Sequence, residues 1–470
     1  MEAQETEEKN SFDSQFATAP MWPLIMRMAL PAVAAQVVNL LYSIIDRVYI
    51  GHIADIGTSA LAGVGICNTL IIIIGAFAQF VGAGGAPLAG IELGKGNLER
   101  ARKILNNGFL LLLLFTVVIM IVISIFMEPL LRLTGASDTT IIYALPYMRI
   151  YLLGTVFVEI TLGLNTFINT QGKPGVSMCI VVLGAVLNII LDPVFIFVFG
   201  LGVRGAATAT VISQAVSAVC IIIFLSKKTT VLALRKKFMR PDLSVIKQIF
   251  SLGISPFIMA CTESIIGFIL NGSLANYGDI YVSALTVMQS AMQIIAVPLA
   301  GFTQGSVPVI SYNYGHGNPG RVKESVKVIT IVAFTYNLVL CLFFILAPGV
   351  IASLFTQDPE LIAAVKAAMP LFMTGMTIFG LQRAFQNTFI ATNQAKVSLF
   401  IALLRKIILL VPLALILPHF ITPGQNGVFL AESIADALAC ICCTIIFLCK
   451  FPKMMKKLTE QGPQEAPQPR

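Results

Sequence analysis

Apolar runs follow one another along the chain from Leu24 to Cys449, parted by short polar breaks. Each run approaches or exceeds the ~20 residues that an α-helix needs to cross about 30 Å of hydrocarbon. A membrane barrel would instead show short alternating segments. Twelve runs are expected, at 24–50, 59–92, 104–127, 141–169, 177–199, 207–226, 247–272, 282–312, 326–347, 362–391, 398–418 and 428–449. The second and eighth are long enough to tilt, bend or leave the bilayer. The expected fold class is therefore all-α and polytopic, with twelve transmembrane helices and the lipid bilayer as solvent.

The longest polar break, Ser226 to Lys247, divides the runs six and six. The halves also echo each other. Gly94-Lys95-Gly96-Asn97 with Arg100 is answered in the second half by Gly315-His316-Gly317-Asn318 with Arg321. Asn165-Thr166-Phe167-Ile168 returns at Asn387-Thr388-Phe389-Ile390, and Pro129 at Pro348. A near-constant interval implies an internal duplication. Six spans per half make the repeats parallel, as in carriers that bind cargo between two rocking halves. The expected division is a disordered cytosolic tail 1–22, an N-lobe 23–226, a basic cytosolic linker 227–246, a C-lobe 247–450 and a tail 451–470.

Charge orients the chain. With the N-terminus inside, 23 of the 31 Lys and Arg residues fall in inside segments, while the outside loops hold Arg132 and Arg204. That asymmetry places both termini in the cytoplasm. The net charge of +8 is thus orientation, not a nucleic-acid surface. Composition agrees: 57% of residues are hydrophobic and 11% charged, against about 25% charged in soluble chains. The acidic start (Glu2, Glu5, Glu7, Glu8) is unlike a signal peptide. The nine cysteines lack metal-ligand spacing and read as small apolar residues; His52, His316 and His419 read as surface residues. Gly82-Ala83-Gly84-Gly85-Ala86 lacks the Lys and Ser/Thr of a phosphate loop and reads as a close helix-packing surface. No enzymatic motif and no cofactor is expected, and no metal site other than one for Na⁺. A secondary transporter is therefore the first reading, working as a monomer.

The polar residues inside spans carry the chemistry. An acid at a helix centre costs roughly 2.5–3.5 kcal/mol on insertion scales, so each is a functional hypothesis. Asp46 lies late in the first span. Asn188 and Asp192 are four apart in the fifth and share a face. Asp192 stands about 23 Å from the inside end at 1.5 Å per residue, and Thr210 lies at similar depth in the sixth span. Two carboxylates, an amide and a hydroxyl suit a proton or a small hard cation. Two plainer readings stay open: Asp46 pairing with Arg47, and Asp192 ending a helix before Pro193. A second set is expected to line a substrate cavity: Glu263, Arg383, Glu432 and Asp436, with Gln36 and Asn39 on the first span. Arg405, mid-span, is expected to neutralise an acid from another helix.

Several stretches resemble the multidrug and toxic compound extrusion (MATE) family. Leu40-Leu41-Tyr42-Ser43-Ile44-Ile45-Asp46-Arg47-Val48-Tyr49-Ile50-Gly51 and Ala60-Leu61-Ala62-Gly63-Val64 resemble its first-helix signature. Asn188-Ile189-Ile190-Leu191-Asp192-Pro193-Val194-Phe195 resembles its fifth-helix signature, and Gly200 to Gln214 its sixth-helix entry. The resemblance spans about 22 to 450 and is nearest the multidrug-exporter and DNA-damage-inducible bacterial subgroup. It implies a V-shaped bundle of two six-helix lobes in the bacterial cytoplasmic (inner) membrane. It further implies efflux of lipophilic organic cations against H⁺ or Na⁺, with Asp46, Asn188, Asp192 and Thr210 as the N-lobe coupling site. Glu263 lies near a seventh-helix glutamate of another branch, whose tenth-helix aspartate has no counterpart here; that span carries Arg383 instead. Rival readings are a lipid-linked oligosaccharide or other lipid flippase of the same superfamily, and a non-transporting scaffold or sensor.

Overall fold

A computed structural model describes residues 14–53, 56–227 and 229–461, and all their regular structure is helical. Ten helices are long and apolar enough to cross a membrane, or twelve if two bent pairs each form one span. The first half contains α1 (Met21–Gly51), α2 (Gly57–Gly94), α3 (Leu98–Leu133), α4 (Asp138–Leu153), α5 (Thr155–Thr170), α6 (Pro174–Pro193) and α7 (Val203–Ser226). The second contains α8 (Leu243–Ala275), α9 (Asp279–Gly315), α10 (Pro319–Leu346), α11 (Pro348–Phe355), α12 (Pro359–Met373), α13 (Phe379–Ala391), α14 (Ala395–Leu403), α15 (Val411–Ile416) and α16 (Gly424–Gln461).

Hydropathy located the spans but not two of their breaks. The fourth expected span is α4 and α5, bent by 58°, and the tenth is α12 followed by Gly375–Ala391, bent by 43°. Each break sits at a glycine, Gly154 and Gly375, separated by the same interval as Gly94 and Gly315. A Cβ on Gly154 would overlap Val211 of α7, and one on Gly375 would overlap the backbone of Ser433 in α16. The chain bends where a neighbouring helix needs the room. Bending frees carbonyls that hydrocarbon cannot satisfy; Asn337 donates its side-chain amide to the carbonyls of Met376 and Thr377.

The duplicated turns are alike in detail. Gly96 and Gly317 take φ of 73° and 77°. Glycine adopts such a left-handed turn freely. The next residues, Asn97 and Asn318, accept from the backbone N–H of Arg100 and Arg321, each at 3.1 Å. They thereby cap α3 and α10.

The chain forms two compact units. Among the described residues, unit 1 holds 14–19 and 34–257, and unit 2 holds 20–33 and 258–461. The unit boundaries thus cut through α1 and α8. Small residues explain both cuts. In unit 2, Cβ positions on Gly301 and Gly305 of α9 lie 2.8 Å from the Cα atoms of Val33 and Ala29. In unit 1, the position on Gly84, the repeat counterpart of Gly305, lies 2.6 Å from the Ile249 carbonyl of α8. Gly82 and Gly85 likewise abut Thr166 and Phe167 of α5.

The linker is docked onto unit 1. Val231 to Leu234 are buried. Asn106 on α3 donates to the Ala233 carbonyl at 3.1 Å and accepts from the Arg235 N–H at 2.9 Å. Asn107 accepts from the Asp242 N–H at 2.8 Å, and Arg102 donates to the Val231 carbonyl at 3.0 Å.

Candidate functional site

In unit 1, Asp46, Asn188, Asp192 and Thr210 come together from three spans. Asp192 does not end its helix: the span runs from Pro174 through a π-turn at Val194–Val198. Proline lacks an N–H, and the π-turn takes up the local change of pitch. Gly200 (φ 65°) and Gly202 (φ 54°) then return the chain into α7. At Gly205 a Cβ would lie 2.6 Å from the Phe195 carbonyl, so α7 presses directly on the π-turn and brings Thr210 beside α6.

Asn188 bridges the group. Its amide donates to Asp192 Oδ1 at 3.2 Å and to Thr210 Oγ1 at 3.4 Å. Thr210 can accept because its own proton goes to the Ala206 carbonyl at 3.0 Å. The Asp46 carboxyl lies beside Asp192, close enough for each to act on the other's charge. Asp192 and Asn188 are 0% and 2% exposed. Asp46 Oδ1, Asn188 Oδ1 and Asp192 Oδ2 are all buried without a hydrogen-bond partner. Two neighbouring buried carboxylates repel unless a proton or cation neutralises one of them. The three unpartnered oxygens, one from each aspartate and one from Asn188, form an all-oxygen set of the kind that suits H⁺ or Na⁺. Among the described residues no ion pair joins Asp46 to Arg47, which is exposed.

Three tyrosines escaped the sequence reading. Tyr42, one helical turn before Asp46, lies within electrostatic reach of Asp46 and Asp192. Tyr147 and Tyr151 on α4 stack with ring centroids 6.2 Å apart, and Tyr147 lies near Asp46. The i, i+4 spacing of both pairs is the signal that was available.

The second set, in unit 2, is arranged differently. Glu432 and Asp436, expected to line a cavity, are buried in ion pairs on α16. Arg405 donates to Asp436 at 2.6 and 3.1 Å, and lies 3.9 Å from Glu432. Lys406, which the reading passed over, donates to Glu432 at 3.2 Å. The cause is a π-turn at Leu404–Leu410 that presents consecutive basic residues to α16. Arg405 and Arg383 both stack on Phe379, at 4.2 and 5.1 Å, and Arg383 Nε is buried without a hydrogen-bond partner. Glu263 is exposed, and Gln36 and Asn39 are half-buried on the unit 1 part of α1. His316 is half-buried and stacks on Tyr312 at 5.9 Å, unlike the surface residue expected.

A duplicated helical membrane protein with unpartnered carboxyl oxygens buried among its spans has the build of a transporter, not of an enzyme. The chain belongs to the MatE family, whose sequence model matches it twice, at 31–194 and 256–416. It is an integral protein of the bacterial cytoplasmic membrane. It is 26% identical over 424 residues to the multidrug export protein MepA of Staphylococcus haemolyticus strain JCSC1435, covering 90% of this chain and 92% of that one. Its fold is shared with a MATE transporter solved in a bent conformation (TM-score 0.87, 23% identity, 97% and 99% of the two chains). It is shared too with an outward-facing multidrug resistance MATE transporter of the MOP superfamily (TM-score 0.86, 24% identity, 92% and 96%).

Proposed function

We propose that this chain exports lipophilic organic cations by antiport against H⁺ or Na⁺, as a monomer with both termini in the cytoplasm. The observation that carries the reading is the cluster of three buried, unpartnered oxygens from Asp46, Asp192 and Asn188. The similarity to a multidrug export protein supports the cargo class. Entry of the coupling cation from outside neutralises the pair and removes the desolvation penalty of buried charge. The helices of unit 1 then repack, and the hold on a cationic compound weakens. Release of the cation on the inner side restores the negative charge and the attraction for the next substrate. Coupling is thus competition between two cations for one electrostatic site.

The test uses purified protein in liposomes loaded with tetraphenylphosphonium, first under an imposed pH gradient and then under a Na⁺ gradient. Asp46→Asn and Asp192→Asn abolish gradient-driven efflux at unchanged expression. Retained efflux in both variants sinks the proposal. Lipid flipping is the second reading. It draws on Arg383, whose buried unpartnered Nε suits an anionic head group. Flipping of a labelled anionic lipid without movement of tetraphenylphosphonium would favour it.

A further inference from the structure

Glu159 on α5 is fully buried, at 0% exposure, and both of its carboxyl oxygens lack a hydrogen-bond partner. The elements packed around it offer no counter-ion. α5 lies chiefly against α2, α3 and α7. Residues 57–91 of α2, 104–127 of α3 and 205–226 of α7 contain no charged residue at all, and Glu159 is the only one in α5. Its lighter contacts are with α6, whose charged residue is Asp192, and α4, which carries Asp138 and Arg149 near its two ends. Register fixes its surroundings. A Cβ on Gly163 would meet Leu112 and lie 3.3 Å from the Ala78 carbonyl. One turn back along α5, Glu159 stands at the level of Thr116 and Ile74. The hydroxyls of Thr116 and of Thr155, at i−4 from Glu159, are themselves buried and unpartnered. A carboxylate charge is not tolerated in such a place, whereas a neutral carboxylic acid is.

Glu159 is nonetheless connected. α5 packs against α6 and α7, the helices that carry Asp192 and Thr210, and Thr161 on α5 donates to the Gln214 carbonyl of α7 at 3.4 Å. Depth adds a direction. Glu159 is about 16 Å from the Thr170 end of α5, whereas Asp192 is about 27 Å from the Pro174 end of α6, at 1.5 Å per residue. Residues 171–173 join those two ends, so Glu159 lies about 10 Å nearer that turn.

We propose that Glu159 is a second proton-carrying carboxyl of the transport cycle, exchanging its proton with the Asp46–Asp192 pair through water that enters when the unit 1 helices repack. The inference rests on the antiport reading. The transfer balances: the proton leaving Glu159 is matched by one taken up at the aspartate pair, and each intervening water gains a proton as it loses its own. Glu159 ionises only while repacking of the unit 1 helices admits water to α5. It therefore serves as the step between the aspartate pair and the side of the membrane at residues 171–173.

The experiment combines infrared spectroscopy with proton flux on the full-length protein in liposomes. Wild-type protein at neutral pH gives a protonated-carboxyl C=O band that is missing in Glu159→Gln. That band changes when tetraphenylphosphonium is added and in Asp192→Asn. Glu159→Gln keeps the wild-type melting temperature in detergent, yet slows proton-driven tetraphenylphosphonium efflux at least tenfold, and Glu159→Asp restores most of it. Wild-type proton flux in Glu159→Gln, or a band indifferent to both perturbations, overturns the proposal and leaves antiport standing. Efflux driven by Na⁺ alone overturns it likewise. Absence of efflux under either gradient in the wild type overturns the antiport reading itself.

Discussion

The Arg405–Asp436 pair allows a quantitative test of whether the charges of unit 2 hold the fold or handle cargo. Both residues are buried, at 6% and 2% exposure, and joined by two hydrogen bonds of 2.6 and 3.1 Å. Removing one member of a buried pair costs about 3–5 kcal/mol, because a charge is left uncompensated. In Asp436→Leu the arginine would keep Glu432 at 3.9 Å and the Phe379 ring at 4.2 Å. A desolvated cation–π contact is worth up to about 2 kcal/mol, so the loss falls at the lower end, about 3 kcal/mol. Arg405→Met strands Asp436 and costs a similar amount. Replacing both partners by apolar residues of matching size is close to neutral, so Arg405→Met/Asp436→Leu lies within about 1 kcal/mol of wild type. The assay is a double-mutant cycle of reversible unfolding in detergent, with tetraphenylphosphonium efflux measured per folded molecule. Additive single effects, with the double variant losing about 6 kcal/mol, would refute the pairing argument. A stable double variant without efflux would show that the pair handles cargo.

Asn188→Ala removes the amide that satisfies Asp192 and Thr210; gradient-driven efflux falls strongly, while Asn188→Asp shifts its pH dependence, both read in liposomes. Asn106→Ala strands the Ala233 carbonyl and the Arg235 N–H at the linker. It costs about 1–3 kcal/mol and accelerates tryptic cleavage at Arg235 to Arg240; an unchanged cleavage rate would contradict the docked linker. Gly84→Ala forces α2 away from the Ile249 carbonyl, with an expected cost of about 1–3 kcal/mol in detergent unfolding. If Gly84→Ala is neutral there, the α2–α8 contact is looser than described.

The spans were legible because bilayer thickness imposes an apolar run on every crossing, whatever the tertiary contacts. The breaks at Gly154 and Gly375 were not, because their cause lies elsewhere in the chain, at Val211 and Ser433. Position along each span puts Asp46, Asn188, Asp192 and Thr210 at one level, and in the structure Asn188 bridges Asp192 and Thr210. Which oxygens stay unpartnered is not legible in the sequence, since that depends on Thr210 donating its proton to Ala206. Lys406 was missed because charge beside Arg405 looks redundant until a π-turn directs both at α16. Glu159 was missed outright, although it is the only charged residue between Arg149 and Lys173.

The duplication kept the scaffold and let the chemistry part. The capped turns at Asn97 and Asn318, the bends at Gly154 and Gly375 and the close contacts at Gly84 and Gly305 recur at one interval. These features depend on backbone geometry, which both units need. The charges obey no such rule. At the repeat interval, Asn188 and Asp192 fall on the apolar stretch Ile407 to Ala414, and Glu159 falls among Ile378, Phe379, Gly380 and Leu381. Conversely, Arg405 and Lys406 correspond to the apolar stretch Leu183 to Leu187. Unit 2 satisfies Glu432 and Asp436 with Lys406 and Arg405, so those acids have no need of a mobile cation. Unit 1 leaves Asp46, Asp192 and Glu159 without an ion pair among the described residues. Under the antiport reading, the coupling ion therefore acts on unit 1, and exchanging the polar sets between the halves would carry the ion dependence with them.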